Sequence, residues 1–366
     1  MSRTVYHLID ATLDTPYFRS IARCHNRERY PVAIGSIQPY GPLQARMQQM
    51  GTPTFSLQTT GRARYPLAIL RLAGLLRQKQ AILHAHCFDP TLVGLLAARL
   101  ARVPFVFTRH HSDHNLRLGK RWHVGVDSWC ARHADRVIAV SEATREVMQT
   151  AEGVPSARIE VVYNGMEPLV APAAGRVAAV RTELGLTGEP VCLMVARLHE
   201  EKGHTFLFEA IPAIREAAGP TTFLLAGDGP HRADLEAEVA RRGLERCVRF
   251  LGRRSDVAEL YTLADVVVLP SLAESFGFAL LEAMSLGRPV VAAATGGMCE
   301  IVRDGENGCL VPQADAGALG QAVIGVLGDT ALAGRLGEGG RQRARDFTFE
   351  AMIRGYERVY DGLPSQ

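Results

Sequence analysis

Short aliphatic runs alternate with stretches of helical spacing along the chain, and midway the rhythm starts over. The first set is TVYHLID (4–10), YPVAIGSI (30–37), AILHAHC (81–87), PFVFTRH (104–110), RVIAVSE (136–142) and IEVVYNG (159–165). These are brief, rich in Val, Ile and Leu, and apolar on both alternating faces, as strands of a covered parallel sheet must be. Between them PLQARMQQMG, YPLAILRLAGLLRQKQ, PTLVGLLAARLAR and EATREVMQTA carry apolar residues at helical intervals. The alternation predicts a parallel sheet with helices on both faces. A second set follows: VCLMVARL (191–198), TTFLLAGDG (221–229), VRFLG (248–252), DVVVLPS (265–271), RPVVAAATGG (288–297) and GCLVP (308–312). The expectation is two successive α/β domains, 1–166 and 179–347, joined by an aperiodic Ala-, Pro- and Gly-rich linker at 167–178. The closing segment 348–366 reads as an amphipathic helix expected to pack back on the first domain.

Charge divides the same way. Residues 1–165 hold 21 Lys+Arg against 11 Asp+Glu, a net of +10, and residues 166–366 hold 20 against 27, a net of −7, summing to +3. A basic first half suits an anionic partner: nucleic acid, an anionic membrane surface or an anionic small molecule. Its basic residues are dispersed, with no interleaved aromatic motif, which argues against nucleic acid. The seven cysteines are scattered without a C-x-x-C pair, so neither a disulfide framework nor a zinc site is expected. No run reaches the roughly 18 apolar residues of a membrane span, and MSRTVYHLIDATLDTPYF lacks the regions of a signal peptide, which places the chain in the cytoplasm as an expectation.

The segment LPSLAESFGFALLEAMSLGRPVV (269–291) sets Glu274 and Glu282 in an otherwise apolar stretch. Carboxylates enter such surroundings when something binds them. ADVVVLPS is a strand ended by Pro270-Ser271, and a helix begins near Gly277. Ligands of open parallel sheets bind beyond the carboxyl ends of strands, where helix N-termini offer free N–H groups to anions. Both acids reach that crevice, at different depths. A glycosidase-type carboxylate pair fits poorly, because a helix start stabilises anions and not oxocarbenium ions. A second cluster, ARLHEEKGH (196–204), follows the first strand of the second half. Arg197 and Lys202 suit a diphosphate there, the one as a fork and the other as a mobile charge. The alternative is a solvated loop that pairs them with Glu200 and Glu201. His110, His111 and His114 are close enough in sequence to suggest a metal, but no carboxylate or cysteine completes a ligand pattern, so no metal is expected.

Taken together, HAH (84–86), FTRH (107–110), HADRVIAVSE (133–142), VVYNG (161–165), RTELGL (181–186), VARLHEEKG (195–203), LLAGDGP (224–230), VRFLGRRSDVAELYTLADVVVLPSLAESFGFALLEAMSLGRPVVA (248–292) and GGMCEIVRDGENGCLV (296–311) resemble the retaining glycosyltransferases of family 4. The resemblance implies the GT-B fold, two Rossmann-like α/β/α domains facing each other across a cleft. It implies a hexosyltransferase-type enzyme that moves a sugar from a UDP- or GDP-sugar, bound by the second domain, to a sugar, lipid-linked or small-molecule acceptor on the first, with retention. Glu274 would hold donor-sugar hydroxyls and Glu282 the ribose. Arg197, Lys202 and the N–H groups of Gly277 and Phe278 would hold the departing diphosphate, with Gly252 and Arg253 beside the base. These cations and the helix dipole would take the part a divalent ion plays elsewhere, so a metal-independent reaction is implied. In the first domain His110 would face the reacting sugar, with His86 a second acceptor-side candidate. One departure stands out: LIDATLDTPYFRS, after the first strand, has no glycine where the family carries a glycine-rich turn. A nucleotide-sugar hydrolase or epimerase, or a non-catalytic nucleotide-sugar-binding protein, could use the same scaffold. The joint presence of Arg197, Lys202, Glu274 and Glu282 speaks against the non-catalytic form. The basic first half also fits peripheral association with the cytoplasmic face of an anionic membrane.

Overall fold

The computed structural model describes all residues except 1, 11, 13, 78, 79, 112–118, 365 and 366. The chain forms two compact units, Met1–Glu167 with Phe347–Gln366, and Pro168–Asp346.

The first unit is built on β1 (Thr4–Ile9), β2 (Val32–Ser36), β3 (Thr54–Ser56), β4 (Ala81–His86), β5 (Phe105–Arg109), β6 (Arg136–Ala139) and β7 (Ile159–Val161). All pairings are parallel, in the order β3-β2-β1-β4-β5-β6-β7. Alternate residues of each strand feed opposite faces. Tyr6, Leu8, Leu83, Ala85, Phe105 and Phe107 enter one core, packed with the helices Tyr65–Leu76 and Phe88–Ala101. Val5, Ile9, Ile34, Ile82 and Val106 enter the other, which is closed by the last helix of the chain, Phe349–Asp361, through Phe349, Met352, Ile353, Tyr356 and Tyr360. The chain re-enters this unit where Met166 N donates to Phe347 O at 2.9 Å, and the last helix starts at Thr348, whose hydroxyl accepts from Ala351 N at 3.2 Å.

The second unit comprises β8 (Val191–Val195), β9 (Thr222–Ala226), β10 (Val248–Gly252), β11 (Val266–Leu269), β12 (Val290–Ala293) and β13 (Cys309–Val311), again all parallel, ordered β10-β9-β8-β11-β12-β13. Residues 174–178 of the expected linker are already the first turn of the helix Ala174–Glu183, an Ala- and Arg-rich stretch that propensity favours despite Gly175. Both sheets grow outward in two directions, from β1/β4 in the first and β8/β11 in the second. Those switch points leave a crevice at the carboxyl ends of the strands, which is where open α/β sheets bind ligands.

Candidate functional site

In the second unit the crevice is framed by the loops that leave β8 and β11. After β8 the chain runs through Arg197 into a single turn, Glu200–Lys202, and then into the helix His204–Ala218. After β11 it passes Glu274 and enters the helix Phe278–Ser285 at Gly277, whose φ of +107° suits glycine. Glycines let the loops approach. A Cβ on Gly203 would lie 2.0 Å from the Pro270 carbonyl oxygen, and one on Gly296 would lie 1.8 Å from that of Glu274. The loops are also bonded: Leu272 N donates to Glu201 O at 2.8 Å, and Gly297 N to Glu274 O at 3.1 Å. The two clusters are therefore one backbone assembly.

Their side chains meet. Lys202 Nζ donates to Glu274 Oε2 at 2.7 Å, both side chains largely buried. Arg197 behaves differently, pairing with Glu201 at 2.8 Å with a largely exposed guanidinium, the local pairing that the solvated-loop alternative describes. Glu282 is half-buried and accepts from Tyr261 Oη at 2.9 Å; burial raises its pKa, and the bond from Tyr261 offsets part of that rise. Tyr261, fully buried on the helix Val257–Leu263, was not a sequence candidate, and only its place on the helix before β11 could have suggested it. Phe278 is exposed at the helix start. Gly252 ends β10, and its carbonyl accepts from Gly227 N at 2.8 Å, which ties that edge of the crevice to the end of β9. Arg253 is exposed, whereas the neighbouring Arg254 is taken up by Glu183 and Asp256 at 2.7 and 2.6 Å. From β10 to β11 the candidates span three strand spacings, about 14 Å.

The first unit holds a different arrangement at its switch point. His7 of β1 lies in register with His84 of β4, and His86 follows two residues on, all on the face covered by the last helix. All three are fully buried. His7 Nδ1 and His86 Nε2 are 3.0 Å apart, and His86 Nδ1 and His110 Nε2 are 3.1 Å apart. His84 is bonded separately, to Tyr360 Oη at 2.6 Å and Thr108 Oγ1 at 2.7 Å. Burial, with neighbouring histidines adding to it, holds the pKa values of His7, His84 and His86 well below the ordinary range, and burial takes that of half-buried His110 to about 4. Of the three histidines weighed and set aside as a metal site, His114 lies outside the described residues. His86 and His110 are thus brought together by the fold, in a chain that sequence reasoning did not foresee.

Two covered parallel sheets, ordered 3-2-1-4-5-6-7 and 3-2-1-4-5-6, each with polar residues gathered at its switch point, are two Rossmann-like domains, the pair of domains that the GT-B fold comprises. The crystal structure of Anabaena HepE in complex with UDP superimposes with a TM-score of 0.85 at 24% identity, covering 98% of this chain and 100% of that one. Sucrose-phosphate synthase of Thermosynechococcus elongatus gives 0.78 at 24% identity, with 98% of each chain covered. Residues 189–329 match the family model Glycosyl transferases group 1, and residues 17–168 match Glycosyltransferase Family 4. The α-D-kanosaminyltransferase of Streptomyces kanamyceticus is 31% identical over 279 residues, 72% of this chain and 72% of that protein. The D-inositol 3-phosphate glycosyltransferase of Salinispora arenicola is 31% identical over 322 residues, 79% of this chain and 71% of that protein. The chain belongs to the family 4, or group 1, glycosyltransferases, and is an enzyme of that kind.

Proposed function

We propose that the chain transfers a hexosyl group from a UDP- or GDP-sugar to an acceptor, with retention at the anomeric carbon and without a metal. The observation that carries this reading is the 2.7 Å contact between Lys202 and Glu274 at the β8/β11 switch point, beside the start of the helix Phe278–Ser285. A cation, a carboxylate and a helix N-terminus converge where a diphosphate and the sugar attached to it would lie. Lys202 and Arg197 neutralise the charge that develops on the diphosphate as the glycosidic bond breaks, joined by the N–H groups of Gly277 and Phe278. These fixed charges need no reorganisation during the reaction. Glu274 accepts from hydroxyls of the donor sugar, Glu282 from the ribose, and Gly252 and Arg253 flank the base. HepE has been crystallised with UDP and with UDP-glucose, which favours UDP over GDP. From the first unit, His110 contacts the reacting sugar, and that unit binds the acceptor. The +10 net charge of residues 1–165 supports a lipid-linked acceptor at an anionic cytoplasmic membrane surface.

The test pairs two substitutions. Glu274→Ala is expected to abolish transfer while UDP binding survives, and Lys202→Ala to weaken both, read by product formation and nucleotide titration. Full activity in either variant refutes the assignment. A thermal-shift screen over nucleotide sugars identifies the donor, because a bound ligand stabilises the fold in proportion to its affinity.

A further inference from the structure

The histidines of the first unit form a line. The bonded ring centroids, His7 to His86 and His86 to His110, are 5.3 and 5.4 Å apart, with interplanar angles of 19° and 28°. For nitrogens 3.0 and 3.1 Å apart these are close to the widest separations two imidazoles can have, so the rings are joined edge to edge with nearly linear bonds. His7, His84 and His86 also bring ring nitrogens within 4.8 Å of one another, as a metal site would. In this arrangement the ring directions of His7 Nδ1 and His86 Nε2 face each other along a nearly linear contact and not toward a common third point, so the two rings are set as hydrogen-bond partners.

Each neutral imidazole has one N–H and one lone pair, so the protons along such a chain must all point the same way. The inner end sets the direction. Among the described residues His7 Nε2 is buried without a partner, and a buried acceptor left unpaired is tolerated more readily than a buried N–H. His7 therefore carries its proton on Nδ1 and donates to His86 Nε2. His86 carries its own on Nδ1 and donates to His110 Nε2, which leaves the proton of His110 on Nδ1. We propose that His7 and His86 are positioning residues: through this chain they hold His110 in its Nδ1–H form, making it a hydrogen-bond donor to a bound sugar and denying it the part of a base.

Burial makes the chain neutral by excluding a charged member. Among the described residues, the groups around it carry no unpaired positive charge. His25 is beside His7 but is held by Glu357 at 3.2 Å, and the hydroxyls of Tyr17 and Tyr356, against His86 and His84 respectively, bond to each other at 2.5 Å. Tyr360, across from His84 and His25, is occupied by His84. The consequence for chemistry is specific. The inner lone pair of His110 is spent on His86, so no nitrogen of His110 is free to take the acceptor's proton, and its contribution to transfer is a neutral N–H. That functional half rests on the assignment of His110 to the reacting sugar; the tautomer does not.

The experiment is nitrogen-15 histidine NMR on the full-length protein, with the His110 signals assigned by their loss in His110→Gln. The expected result is a single neutral species protonated at Nδ1, unchanged between about pH 6 and 8, where a free histidine titrates. An Nε2-protonated ring, an averaged pair of tautomers or a midpoint in that range overturns the proposal. In His7→Phe, which keeps a planar ring and removes both nitrogens, His110 should become a mixture of tautomers and kcat should fall about tenfold at unchanged donor KM. In His84→Gln, equally buried but outside the line, the His110 tautomer should persist. A His110 tautomer unmoved by His7→Phe, or lost equally in His84→Gln, also overturns it. Should His7→Phe fail to fold, the wild-type spectrum alone decides. The Nδ1–H tautomer in a protein whose His110→Gln variant is fully active would sink the role given to His110 while leaving the chain intact.

Discussion

Replacing Glu282 by glutamine sets stability against nucleotide affinity, and the structure gives a sign to each. The carboxylate is half-buried on the helix Phe278–Ser285 and accepts one hydrogen bond, from the fully buried Tyr261 at 2.9 Å. Burial raises its pKa, with the Tyr261 bond recovering part of the cost. A carboxyl whose folded pKa lies above its unfolded one binds more protons folded than unfolded between the two values. Stability therefore falls as pH rises through that window. Above the window the whole penalty remains, and below the ordinary glutamate range it is gone. Glutamine carries no charge, conserves volume and still accepts from Tyr261. For Glu282→Gln at neutral pH the expected gain is about 1 kcal/mol, the scale of one incompletely solvated buried group, or about 2–4 °C in the Tm of a unit this size. Lowering the pH through the window should erase the gain.

Affinity moves the other way. In the proposed complex the two carboxylate oxygens accept from the ribose hydroxyls, and charge-assisted bonds of that kind contribute about 1.5–3 kcal/mol each. Glutamine retains one acceptor oxygen, so UDP affinity should fall at least about tenfold. The stabilisation by a fixed excess of UDP, which follows RT ln(1 + [L]/Kd), should shrink by about 1.4 kcal/mol. One set of thermal unfolding curves, with and without UDP at several pH values, reads both effects. A lower Tm for the unliganded variant at neutral pH would refute the burial argument, and an undiminished UDP shift would refute the ribose assignment. Tyr261→Phe supplies the complement. It should lower unliganded stability by about 1 kcal/mol in the wild-type background and by less when Glu282 is already glutamine, the non-additivity expected of bonded neighbours.

Two further outcomes follow from packing. Gly296→Ala places a Cβ 1.8 Å from the Glu274 carbonyl oxygen at a backbone φ of +51°, so the Glu274 loop must move; a loss of about 1–3 kcal/mol in thermal unfolding should accompany a fall in kcat/KM. Removing residues 347–366 strips Phe349, Met352, Ile353, Tyr356 and Tyr360 from one face of the first sheet; at about 1.5–3 kcal/mol each they match the stability of a typical domain. Calorimetry should lose the transition of the first unit and keep that of the second.

Among the described residues, twelve of the thirteen strands stand where continuous aliphatic runs place them, because burial on both faces leaves a strand little choice of residue. The missed one, β3, is three residues at a sheet edge, Thr54–Ser56, too short and too polar to differ from a loop. Several predicted runs overshoot at their carboxyl ends. VCLMVARL extends to Leu198 where β8 stops at Val195, and RPVVAAATGG to Gly297 where β12 stops at Ala293. The overshoot falls in the loops that leave β8 and β12, where apolar residues such as Ala196 and Ala294 continue the strand's pattern beyond its paired residues. Local pattern marked each half of the Lys202–Glu274 contact, but the contact itself joins positions far apart in sequence and exists only because β8 and β11 are neighbours.

The histidine chain shows the same limit from the other side. A histidine inside an aliphatic strand needs a hydrogen-bond partner, and HLID and HAH each announce that need without saying who meets it. Strand order answers it. Only when β1 and β4 lie side by side, at the point where the sheet changes direction, does His7 come level with His84, and only then is His86 set between His7 and the residue that follows β5. The polar groups of two strands then satisfy one another, and the last member of the series, half-buried His110, is the one left at the crevice. Burial that would be a cost for any one of these rings becomes, for the row, a means of deciding where the outermost proton sits.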